Sequence, residues 1–205
     1  MQPALTTLPG YKVNEYLVVV SPHEELWNKI QKVKEEFAEA YQSAIARWSK
    51  PHLVLVSFTQ YAMMEERIIN RLHQVAMAQY PFKIELKDFG SFPSHTIYIN
   101  VTSKVPIQTL VKEIRQDGQR LMKLNDDNKP HFMMEPHLTI ARKLKPWQYE
   151  KGWLLEYSNK HFTGRFIANK MLLLKRPVGE VKYQVAGRFD FQNLPVTIKQ
   201  GELFG

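Results

Sequence analysis

Pro-His-Leu occurs twice in this chain, and each copy opens an apolar run. The copies are Lys50-Pro51-His52-Leu53-Val54-Leu55-Val56 and Glu135-Pro136-His137-Leu138-Thr139-Ile140-Ala141. Proline bars helix at the residue before it, so the chain must leave any helix at Lys50. Residues two apart in a strand share a face. His52, Val54 and Val56 then point one way, and Leu53 and Leu55 the other. His137, Thr139 and Ala141 likewise oppose Leu138 and Ile140. The leucine and isoleucine sides can anchor two strands in a core, leaving the histidine sides to line a cleft between two halves of one domain.

The rest of the chain supplies what such halves need. A β-prone run, Tyr16–Val20, stops at Ser21-Pro22, which read as N-cap and first-turn proline of a long helix. Leu26, Ile30, Val33, Phe37, Ala40, Tyr41, Ala44 and Ile45 recur along it at helical spacing. A strand from His52 to Phe58 precedes a helix over 62–79. Strands follow over 82–88 and 95–101, with Gly90, Ser91, Pro93 and Ser94 forming the turn between them. A helix fits 107–124, and the second motif strand comes after a polar loop. A short helix past Pro146 and strands near 161–168, 171–175 and 183–191 close the chain. The fold class expected is α+β: a two-lobed domain with a duplicated βα core, antiparallel-rich sheets around a central groove, and helices outside. Residues 1–205 read as a single domain, with 1–13 as a flexible N-terminal arm.

Composition narrows the chemistry. There is no cysteine, which excludes disulfides and thiolate metal sites and suits a reducing cytoplasm. No apolar stretch approaches a membrane span, no signal peptide is expected, and the expectation is a monomer away from membranes. Lys and Arg number 28 against 20 Asp and Glu, a formal charge of +8. That balance attracts phosphate-rich partners, although solubility alone accounts for it equally well. No glycine-rich phosphate loop or dinucleotide fingerprint is present, so neither cofactor nor metal is expected.

Two facing imidazoles suit phosphodiester chemistry. Histidine titrates near neutrality, so one ring can take a proton from the attacking oxygen while the other gives one to the leaving oxygen. Thr139 lies two residues beyond His137 on the same face, where its hydroxyl can hold a phosphate oxygen. Arg142 is a second phosphate candidate, but strict alternation puts it opposite His137, so a groove role requires a bulge or a strand end. Phe58 and Tyr61 are candidates for stacking a base at the cleft rim, with packing as the commoner role. His95 also starts an alternating strand but lacks the Pro-His-Leu context and reads as structural.

The paired motif resembles the His-x-Thr-x pair of the two-histidine phosphoesterase superfamily, nearest its LigT-like branch, the bacterial 2′-5′ RNA ligase or RNA 2′,3′-cyclic phosphodiesterase family. The likeness rests on Pro51–Leu55 with Phe58, on Pro81-Phe82 through Gly90-Ser91-Phe92, and most diagnostically on Glu135–Arg142. It covers roughly residues 14–191. It implies metal-independent opening of 2′,3′-cyclic phosphates on RNA ends or nucleotides, in some members with reversible 2′-5′ ligation. It also implies His52 as proton donor and His137 as acceptor. Val54 departs from the pattern, standing where the family has Thr or Ser. Valine keeps the shape and loses the hydroxyl. Three readings therefore stay open: a cyclic phosphodiesterase, a catalytically degenerate RNA- or nucleotide-binding module, and an enzyme acting on a non-RNA cyclic phosphodiester.

Overall fold

A computed structural model describes residues 11–93 and 95–192. Most of the expected N-terminal arm (1–10), Ser94 of the expected turn and the side chain of Ile45 lie outside the described residues. In chain order the elements are β1 (Val13–Val20), α1 (Glu24–Tyr41), α2 (Ala44–Trp48), β2 (Leu53–Tyr61), α3 (Glu65–Met77), β3 (Phe82–Phe92), β4 (Thr96–Val101), α4 (Lys104–Met122), β5 (His131–Phe132), β6 (His137–Ala141), α5 (Pro146–Tyr149), β7 (Thr163–Ala168), β8 (Lys170–Pro177) and β9 (Gln184–Asp190). α5 runs on into a π-helical turn over Glu150–Leu154.

The strands form two sheets, with described pairings all antiparallel. One has the order β5-β2-β1-β8-β9 and the other β6-β4-β3-β7. Helices α3 and α4 pack against the first sheet, through β8 and β9 and through β2 and β5. Helices α1 and α2 pack against β6 of the second, and α1 also reaches β7. The helices are thus on the outside, and the sheets meet where β2 approaches β6. This is the two-lobed α+β architecture expected, and it puts both motif strands at the junction. No helix among the described residues is long and apolar enough to cross a membrane.

Three local differences matter for the site. Helix α1 is capped by His23, whose Nδ1 accepts from the Leu26 amide at 3.3 Å, rather than by Ser21. It stops at Tyr41, because Gln42 turns left-handed (φ 51°). The buried Gln148 side chain donates to the Tyr41 carbonyl at 2.6 Å, satisfying an end that would otherwise be orphaned. Ala44 therefore belongs to α2, a separate short helix. Gly90 does not turn the chain; β3 runs through it to Phe92, and Gly90 pairs with Tyr98.

Candidate active site

Both histidines stand at the head of their strands, each after a buried proline. The Nδ1 of His137 lies 2.8 Å from the carbonyl oxygen of Glu135, two residues back. A carbonyl only accepts, so the ring proton sits on Nδ1 and Nε2 is left with its lone pair free when the ring is neutral. At His52 the backbone of Lys50, again two residues back, acts on the ring and pulls its proton affinity upward. In both copies the backbone of the residue before proline acts on the ring, and at Glu135 its carbonyl is the acceptor that orients His137.

Each strand then carries a bulge at the same place, three residues past its histidine. In β2, Val18 pairs with Val56 and Val19 with Val54, so Leu55 is the extra residue. In β6, Ile97 pairs with Ala141 and Tyr98 with Thr139, so Ile140 is the extra residue. An extra residue exchanges the two faces of everything after it. Leu55 and Val56 are accordingly both buried, as are Ile140 and Ala141.

The exchange explains two expectations at once. Phe58 shares the histidine face only if β2 alternates strictly. Beyond the bulge it turns into the core, 5% exposed and stacked on Tyr16 with centroids 5.0 Å apart. No base can reach its faces there, and Ser57, half-buried, takes the groove side instead. Arg142 moves the opposite way. It follows the bulge and the strand end, it is exposed, and its charge is felt at both His52 and Lys34. Tyr61 is at the far end of β2, nine residues from His52, about 30 Å at the strand rise. Its ring meets Tyr11 edge-on at 5.9 Å. Phe58 is thus a core ring, and Tyr61 lies at the end of β2 remote from His52.

Thr139 is half-buried beside His137. The rings nearest His137 are Phe92, edge-on at 4.9 Å, and Tyr98, tilted at 5.1 Å. Tyr98 reaches this position across Gly90, where an added Cβ would stand 2.7 Å from its ring. Val54 faces the same side as His52 and is half-buried. It brings no hydroxyl to its half of the site. His95 packs against Tyr149, with centroids 5.0 Å apart.

Lys34 is the residue that strand periodicity could not reveal. It sits on the buried stripe of α1 between Ile30 and Phe37, only 1% exposed. Its Nζ donates to the carbonyls of Thr139 (3.0 Å) and Ile140 (3.2 Å). The signal is a lysine at the fourth place after Ile30 on an apolar face. Burial, with the nearby Arg142 charge, pushes its ammonium down to about 7. Burial first, then the Lys34 and Arg142 charges, push His52 down to about 4, against the upward pull of the Lys50 carbonyl. His137 is also lowered, chiefly by burial. Both shifts favour the neutral ring.

A sequence profile of the 2′-5′ RNA ligase superfamily matches residues 22–180, a stretch that holds both motifs and Lys34. The chain belongs to this superfamily. Its fold is that of the LigT-like two-histidine phosphoesterases. It superposes on E. coli LigT complexed with 3′-AMP with a TM-score of 0.59 at 14% identity, covering 88% of this chain and 98% of that one. LigT complexed with NADP+ gives 0.61 at 16% identity, covering 88% and 99%. The TT0787 protein of Thermus thermophilus gives 0.56 at 18% identity, covering 86% and 97%. No curated protein sequence matches the chain significantly. The matched stretch carries Thr139 two residues past His137, and Val54, without a hydroxyl, two residues past His52.

Proposed function

We propose that this protein is a phosphodiesterase that opens 2′,3′-cyclic phosphates of RNA ends or nucleotides, with its own two histidines as acid and base. The observation that carries this reading is the duplicated strand head: Pro-His followed by a bulge three residues on, with the His137 ring bonded two residues back. Past the second bulge Arg142 is exposed, and its charge acts on His52. The relatives crystallised with 3′-AMP and NADP+ make a nucleotide a reasonable ligand to test first.

In the hydrolytic direction one neutral imidazole takes a proton from water as its oxygen attacks phosphorus. The P–O3′ bond breaks, and the other imidazole, protonated, gives its proton to the departing 3′ oxygen. A 2′-phosphate and a free 3′-hydroxyl result. With a 5′-hydroxyl in place of water, the same proton transfers make a 2′-5′ bond. Thr139 and Arg142 hold the non-bridging oxygens as charge builds on them. His52 as donor and His137 as acceptor is the assignment the family resemblance supports. His52 must then gain its proton once the anionic substrate offsets the Lys34 and Arg142 charges.

The test is turnover of a nucleoside 2′,3′-cyclic phosphate in EDTA, with product identity read by phosphorus NMR. The expected product is the 2′-phosphate, formed without added metal. A second reading, a binding module without turnover, draws on Val54 and on the depressed proton affinity of His52. Salt-sensitive RNA binding with no product from any cyclic phosphate would favour it.

A further inference from the structure

We propose that Lys34 is a positioning residue of this site: its buried ammonium clamps the Ile140 bulge and thereby sets where Arg142 leaves β6 near His52. The inference rests on the reading above only in calling the groove a phosphate site.

β6 is the outermost strand of its sheet, so among the described residues the side turned away from β4 has no ladder partner. In a regular strand consecutive carbonyls point to opposite edges. At a bulge that alternation fails, and here the carbonyls of Thr139 and Ile140 both lie within reach of one Nζ. The matching bulge in β2 is held differently, since the Leu55 carbonyl accepts from the Met133 amide at 2.9 Å. A backbone amide on one side and a buried lysine on the other therefore do the same job.

A lysine is a costly choice for that job. Burying an ammonium is unfavourable unless its hydrogens are bonded and its charge is used. Any donor satisfies two carbonyls, but only a cation also adds positive potential to the groove. The charged groups facing Lys34 are Arg142 from the end of β6 and His52 from the head of β2. No carboxylate bridges to Lys34 among the described residues. Its charge is thus left for an anion in the groove, with Arg142 as the arm that touches it. The depressed proton affinity of His52 is a consequence of the same arrangement.

The test uses the full chain with Lys34→Met, which keeps length and removes donor and charge, and Lys34→Gln, which keeps a donor. Two measurements need no turnover: NMR titration of the His52 imidazole, and binding of inorganic phosphate. Lys34→Met is expected to move the His52 midpoint up from about 4 toward its ordinary value and to weaken phosphate binding about tenfold or more. Lys34→Gln is expected to raise the His52 midpoint too, with phosphate binding between wild type and Lys34→Met. Should Lys34→Met fail to fold, the Lys34→Gln shift decides. An unchanged His52 midpoint and unchanged phosphate affinity in either folded variant overturn the proposal. A wild type that binds phosphate but turns over no cyclic phosphate sinks the enzymatic reading and leaves this one standing.

Discussion

The Nδ1 of His137 is bonded to the carbonyl oxygen of Glu135, not to its carboxylate. That carboxylate instead pairs with Lys104 at 2.7 Å on the exposed surface. Orientation of the ring is therefore a main-chain property, and exposed ion pairs contribute little. Glu135→Gln should leave turnover within about twofold of wild type by this reasoning. Nitrogen NMR should still find the neutral His137 ring protonated at Nδ1. A large rate loss in Glu135→Gln would show that the carboxylate, not the carbonyl, sets the ring.

The lowered histidines fix the shape of the pH profile. The profile of kcat/KM reports the free protein. His52 is pushed down to about 4, and His137 lies below its ordinary 6.5. The rate should climb as pH rises through the lower value and fall as pH passes the upper one. The optimum then sits on the acid side of 6.5. An anionic substrate raises the proton affinity of both rings, so the kcat profile should lie at higher pH than that of kcat/KM. An optimum of kcat/KM above about pH 7 would contradict the site electrostatics.

Val54 offers a gain-of-function test. Val54→Thr restores a hydroxyl on the histidine face with little change of shape. A hydrogen bond to a charged group contributes about 1.5–3 kcal/mol, or about one to two decades in rate. Steady-state kinetics should show a rise of up to that size, and Val54→Ile should show none. A Val54→Thr enzyme no faster than wild type would mean that the first motif no longer touches the phosphate.

Phe58 separates packing from binding. As a core ring stacked on Tyr16, its truncation to Ala should cost about 3–5 kcal/mol in a urea titration. Phe58→Leu should leave KM unchanged while lowering the unfolding midpoint. A KM effect without loss of stability would return Phe58 to the groove.

Lys34 also predicts a pH-dependent stability. Its ammonium is pushed down to about 7 from 10.5 in the folded chain. Between those values the unfolded chain binds more protons, so stability rises with pH. The sign follows from burial: the charged form is penalised in the fold, and the penalty fades as pH climbs. Relative to Lys34→Met, the wild type should gain on the order of 3 kcal/mol between about pH 7 and 9.5. Parallel pH dependences for the two proteins would show that burial leaves the proton affinity of this lysine unchanged.

The sequence disclosed the site's skeleton and concealed its bends. Two Pro-His-Leu strands and a helical stripe on α1 are legible because period and proline leave few alternatives. The bulges at Leu55 and Ile140 are not, because both lie in apolar runs whose letters fit either face. With them Phe58 takes the packing role expected to be the commoner one, and the condition set for Arg142, a bulge or a strand end past His137, is met. Lys34 stayed hidden because a lysine on an apolar stripe looks like an interruption until its two carbonyl partners are seen.

The most direct test of the two-histidine site is a double-mutant cycle on cyclic-phosphate turnover. Acid and base act in one transition state, so each of His52→Ala and His137→Ala should cost about 10²–10⁴-fold. The double variant should lose little beyond the worse single, because groups acting as a unit are not additive. Wild-type turnover in either single variant, or losses that simply multiply, would contradict a shared acid–base site.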